Sequence, residues 1–147
     1  MQLSDYLYGE CTVANLAARN KAAALAELAG AAAATGLDRE TVEAVLLERE
    51  QMGSTAVGSG YAIPHGKIPG LEKMRLIFAR SIEGIDFAAP DGKMCHFFFV
   101  VLAPEGAAGQ HLGLLGAIAR LARDATFTSR LRQAKTADEL AAFLAAA

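Results

Sequence analysis

His65 stands inside the stretch Gly53 to Gly70, GSTAVGSGYAIPHGKIPG, which holds five glycines, two prolines, two serines and a threonine. Such a stretch lets backbone N–H groups come close to a ligand, and an anion is the ligand they suit. Pro64 fixes φ immediately before the histidine, and Gly66 removes a side chain immediately after it. The imidazole is thereby displayed on a stiff mount behind the short apolar segment Tyr61, Ala62 and Ile63. A neutral imidazole is a nucleophile near physiological pH. The bland alternative is a surface turn whose histidine fills a slot.

Two further residues bear on the choice. Val42, Val45, Leu46 and Arg49 fall at i, i+3, i+4 and i+7 of an expected helix, so Arg49 continues an apolar stripe, while Glu43 and Glu50 are assigned to the charged face. A guanidinium there needs an anion, which is either a structural carboxylate or a ligand of the glycine loop. His111, Leu114, Leu115 and Ile118 repeat the spacing on a later helix, and His111 faces inward from its first turn. An imidazole flanked by an arginine, a second imidazole and many small-residue amides suits phosphoryl transfer, where charge spreads over three oxygens. The histidines show no HxxxH or HxH pair for a metal, and the sequence lacks both GxSxG and GxxxxGK[ST]. No metal, cofactor or nucleotide is implied.

These residues need a scaffold. The 147 residues suit one domain, 1–147. A formal net charge of −2 with scattered basic residues gives no reason to expect nucleic acid. No apolar run reaches membrane-spanning length and the N-terminus is no signal peptide, so a cytoplasmic protein without membrane insertion is expected. Cys11 and Cys95 form no metal spacing and are expected as free thiols. A short helical turn is expected over Leu3 to Tyr8 and a short extended piece over Glu10 to Val13. Helices are expected from Lys21 to Thr35, after the Asp38 cap, from Ala107 to Arg123, from Asp124 to Gln133, and after the Thr136 cap with Glu139. Strands are expected over Arg75 to Ser81 and over His96 to Leu102, the latter apolar on both faces and ended by Pro104. Helices and strands intermingle, which predicts a layered α/β sandwich. His96 is read as an edge-of-core residue outside the site.

The segment EREQMGSTAVGSGYAIPHGKIPG resembles the active-site segment of the fructose/mannitol-type enzyme IIA domains of the bacterial phosphoenolpyruvate-dependent phosphotransferase system. FFFVVLAP and GQHLGLLGAIARL resemble the later strand and histidine-bearing helix of those domains, and the likeness runs from LSDYL and ECTV to TADEL. Within the family, ECTVANLAARNKAAALAELA and LLEREQMGST are most similar to the nitrogen-regulatory branch. The resemblance implies a mixed sheet with helices on both faces. It also implies a phosphocarrier in which His65 accepts the group as a tele-phosphohistidine from a histidine phosphocarrier protein (HPr-like or NPr-like). By the same match His111 supports the phosphoryl group and Arg49 contacts its oxygens, within a loop carrying Ser54, Thr55, Gly58, Gly60, Pro64 and Gly66. The partners downstream would be regulatory proteins or, as the alternative, a sugar-specific enzyme IIB. Tyr61, Ile63, Ile68 and Leu71 are expected to supply at least part of an apolar docking rim, against the alternative that they are ordinary core or surface residues.

Overall fold

The computed structural model describes residues 3–147, the side chains of Ser4 and of 7–11 excepted. The expectation for the Cys11 thiol therefore falls outside the described side chains. After a 3-10 turn at Leu3–Asp5 come strand β1 (Leu7–Val13), helices α1 (Lys21–Ala33) and α2 (Arg39–Gln51), and the short strands β2 (Ala56–Gly58), β3 (Tyr61–Ala62) and β4 (His65–Lys67). The long strands β5 (Arg75–Ile85) and β6 (Cys95–Ala103) follow, then helices α3 (Ala108–Ala122), α4 (Ala125–Gln133) and α5 (Ala137–Ala145). The six strands form one sheet in the order β1-β5-β6-β3-β2, with β4 also paired to β6. It is a mixed sheet: β1 runs parallel to β5, β3 and β4 run parallel to β6, and the β5–β6 and β2–β3 pairs are antiparallel.

The period-2 alternation of β5 and β6 divides the core. Ile77, Ala79, Phe98, Val100 and Leu102 pack under α1 and α2 with Leu25, Leu28, Val42 and Leu46. Leu76, Phe78, Phe97, Phe99 and Val101 pack on the other face with Leu114, Ile118, Leu131, Leu140 and Leu144 of α3, α4 and α5. The continuous apolar run of β6 is thus explained by cover on both sides. The caps act where the sequence places them. Asp38 accepts from the Thr41 N–H at 3.0 Å and Thr136 from the Glu139 N–H at 3.1 Å, each satisfying an orphan donor of the first turn.

Two features of the loop region differ from expectation. The glycine-rich stretch contributes three short strands, and its apolar residues join the core. Tyr61, Ile63 and Ile68 are at most 5% exposed, and Leu71 packs partly buried against the α1–α2 cluster. The docking rim expected of these four is therefore corrected: alternation sends Tyr61 and Ile63 into the α3 face and Ile68 into the α2 face. Glu50, assigned from the sequence to the charged outer face of α2, is buried beside Lys21 of α1, whose Nζ lies 2.6 Å from its carboxylate.

Candidate functional site

β3 and β4 are one strand interrupted at Ile63-Pro64. Their register on β6 carries across the break without a slip, from Ala62↔Phe98 to His65↔Val101. Pro64 has no N–H to give, yet its carbonyl still accepts from the Val101 N–H at 2.9 Å. Alternation places Tyr61, Ile63 and His65 on the α3 face and turns Gly66 toward α2. A Cβ on Gly66 would sit 2.2 Å from Cγ1 of Val45, so this glycine permits α2 to lie directly on β4.

The half-buried His65 ring has its Nδ1 2.7 Å from the Ile63 carbonyl oxygen. A carbonyl can only accept, so this contact assigns the neutral ring's proton to Nδ1 and leaves the lone pair on Nε2. Burial depresses the proton affinity of the ring below the usual histidine value. The Ile63 bond opposes that shift, and the Arg49 guanidinium adds to it. A neutral, oriented imidazole is the form that can act as a nucleophile.

His111 stands in the first turn of α3, with its ring edge-on to His65 at 79° and the ring centroids 5.2 Å apart. Its Nε2 is buried and has no hydrogen-bond partner among the described residues. Burial is the first cause holding this ring neutral, followed by the charges of His65 and Lys67. A buried nitrogen without a partner costs free energy unless something else completes the site. The N-terminus of α3 has no side-chain cap, so its first N–H groups add positive potential beside the two rings. The arrangement suits an anion attached to Nε2 of His65. A hydrogen bond to a charged group is worth roughly 1.5–3 kcal/mol, so His111→Ala is expected to slow single-turnover phosphoryl transfer by about ten- to a hundredfold. His111→Gln retains more activity because its amide supplies a donor. Equal, parent-like transfer by both variants, with only their unfolding midpoints changed, would make His111 a packing residue.

Arg49, half-buried in the last turn of α2, donates from Nη1 to the Gly53 carbonyl at 2.9 Å. No carboxylate among the described residues lies within ion-pair distance of it. Its charge adds to the lowering of the His65 ring's proton affinity, of which burial is the main cause. One N–H is engaged on the loop and the planar fork keeps others for an anion, a division that lysine cannot reproduce. Arg49→Lys is expected to transfer about tenfold more slowly with an unchanged unfolding midpoint. Parent-like transfer at reduced stability would reduce Arg49 to a brace of Gly53.

The loop residues divide in function. Ser54 donates its hydroxyl to the Phe87 carbonyl, and Thr55 donates both its hydroxyl and its N–H to Glu50, so both are occupied in bracing. Gly58 and Gly60, at φ of 94° and 84°, make the β2–β3 turn beside Asp91 and Met94. That turn is paired with the start of β6 rather than with Val101, so these two glycines do not cradle the His65 ring. His96 lies at that same end, five residues before Val101 on β6, or roughly 16 Å away along the strand. Its Nδ1 is 2.9 Å from the Ser81 carbonyl oxygen, in agreement with its exclusion from the site. Cys95 is buried, and burial pushes its thiol up to about 12, leaving it unreactive.

Comparisons with known proteins bear on the family and the fold. The chain is 44% identical over 146 residues to a nitrogen regulatory protein of Bradyrhizobium diazoefficiens, covering 99% of this chain and 95% of the relative. Its fold superposes on the crystal structure of the nitrogen regulatory protein IIA-Ntr from Neisseria meningitidis with a TM-score of 0.89 at 31% identity, over 97% of this chain and 98% of that one. The mannitol enzyme IIA of Escherichia coli, in its complex with phosphorylated enzyme IIB, shares the fold with a TM-score of 0.76 at 20% identity, over 94% and 96% of the two chains. Residues 5–147 match the family described as "Phosphoenolpyruvate-dependent sugar phosphotransferase system, EIIA 2", and the chain belongs to that family.

Proposed function

We propose that this chain, with 1–147 acting as one carrier domain, accepts a phosphoryl group on Nε2 of His65 from the phosphohistidine of a small carrier protein, HPr-like or NPr-like. The observation that carries the reading is the Ile63 carbonyl at 2.7 Å from Nδ1, which leaves Nε2 as the free nucleophile beside a buried His111 Nε2 that has no partner among the described residues. In the transfer the Nε2 lone pair forms the new N–P bond. The donor's N–P bond breaks and its electron pair returns to the donor imidazole, so no proton need move. The Nδ1–H of His65 stays on Ile63, while His111, Arg49 and the α3 N-terminus meet the spread charge of the transferring oxygens.

Near-complete coverage by a nitrogen regulatory protein supports a regulatory role, with partners that read the phosphorylation state. The second reading, onward transfer to a sugar-specific enzyme IIB, is favoured by the family to which the chain belongs. No helix among the described residues is long and apolar enough to cross a membrane, which fits a carrier meeting its partners in solution. The test is to incubate the protein with phosphoenolpyruvate, enzyme I and a histidine phosphocarrier, and to follow acid-labile, base-stable phosphate. Labelling is expected, and it chases onto an added enzyme IIB only if the second reading holds. An unlabelled, folded protein overturns the carrier reading.

A further inference from the structure

A buried acid lies behind the nucleophile, and the site described so far does not use it. Glu50 lies in the last turn of α2 with its side chain 4% exposed, and burying a carboxylate is costly unless its oxygens are well partnered. They are. Lys21 of α1 approaches within 2.6 Å, the Thr55 N–H donates at 3.2 Å to one oxygen and 3.3 Å to the other, and the Thr55 hydroxyl donates as well. Both donors of Thr55 are thereby spent on one anion, which fixes the plane of that residue's backbone.

The chain of bonds continues toward His65. The Thr55 carbonyl accepts from the Ile63 N–H at 3.0 Å, and the Ile63 carbonyl is the acceptor of His65 Nδ1–H at 2.7 Å. Between them stands Pro64, which offers no N–H and anchors only through its carbonyl on Val101. The carbonyl that selects the His65 tautomer is therefore held from one side by β6 and from the other by Thr55 and Glu50. The same carboxylate acts on the ring through space, opposing the neighbouring Arg49, and favours the positively charged ring that exists while Nε2 carries phosphorus.

We propose that Glu50 is a positioning residue for phosphoryl transfer: through Thr55 and Ile63 it holds the His65 ring in the orientation and tautomer that leave Nε2 free. The proposal rests on the phosphocarrier reading for its purpose, and its test does not. Glu50→Gln keeps the volume and one acceptor but removes the charge and places an amide N–H₂ against Thr55 or Lys21. Thr55→Val removes the hydroxyl and keeps the ion pair. Lys21→Met removes the pairing cation and leaves Glu50 on Thr55, so it separates stability from positioning.

The imidazole ¹⁵N shifts of His65 in the full chain report which nitrogen carries the proton, whether or not phosphate is ever transferred. In the parent the neutral ring is protonated on Nδ1. In Glu50→Gln the two tautomers mix, and single-turnover transfer slows about tenfold or more, with the loss in kcat rather than in KM for the donor. Thr55→Val moves the tautomer the same way by a smaller amount, and it carries the test if Glu50→Gln does not fold. Lys21→Met lowers the unfolding midpoint with the tautomer unmoved. A folded Glu50→Gln protein with a parent-like tautomer overturns the proposal, and so does a tautomer shift that follows stability equally in all three variants. A parent that shows the shift on mutation yet takes no label supports the positioning while overturning the carrier reading.

Discussion

His65→Ala is expected to take no acid-labile phosphate at all, against full labelling expected of the parent. Completeness is expected because neither remaining histidine can substitute. The Nε2 of His111 is closed off from solvent, and His96 sits at the other end of β6 with its Nδ1 on the Ser81 carbonyl. The same variant has a signature in stability. His65 and His111 both hold protons less tightly in the folded chain than the ordinary histidine value of 6.5, chiefly through burial. Below pH 6.5 the unfolded chain binds protons that these two rings resist. Their contribution is thus intact above that pH and is lost as pH falls toward the folded values. Denaturant midpoints of the parent should fall over that acid range, and His65→Ala should flatten the slope by removing one of the two groups. Residual label on the variant would move the acceptor to another residue, and an unchanged slope would mean that the buried state of the ring contributes nothing.

The parts of this site that the sequence exposes are those set by local chemistry. An aspartate or threonine at a helix start and a strand apolar on both faces each have one dominant physical reading, and the structure follows it. His111 is likewise placed by helical spacing alone, and it reaches the His65 ring. What remained hidden depends on tertiary pairing. β2, β3 and β4 are two or three residues long, too short for a period to stand out among glycines. The burial of Tyr61 and Ile63 did have a signal, since they alternate with His65 and share its face of the sheet. Glu50 had a weaker one: it follows Val42 and Leu46 at further steps of four, but a carboxylate is expected to seek water. Its inward position makes sense only once Lys21 and Thr55, far apart in sequence, converge on it.

Gly66→Ala is expected to slow phosphoryl transfer by about a hundredfold, although the methyl group touches no reacting atom. The added Cβ would lie 2.2 Å from Cγ1 of Val45, whereas carbon atoms rest about 3.5–4.0 Å apart. A valine in a helix is confined to essentially one χ1 rotamer, so Val45 cannot swing its methyl away. Either α2 or β4 must therefore shift by roughly 1.5 Å to restore contact distance. β4 is the short strand that carries His65, and α2 carries Arg49 and Glu50, so any such shift moves His65 relative to those two residues. Misplacement of a reacting group by about 1 Å is enough for a hundredfold loss, and overpacking of this kind costs about 1–3 kcal/mol in stability. Val45→Ala deletes the offending methyl. Gly66→Ala combined with Val45→Ala should recover most of the transfer rate, which a nonspecific loss of stability would not do. A single Gly66→Ala variant with parent-like transfer, or a double variant no faster than it, would show that the α2–β4 contact does not set the position of His65.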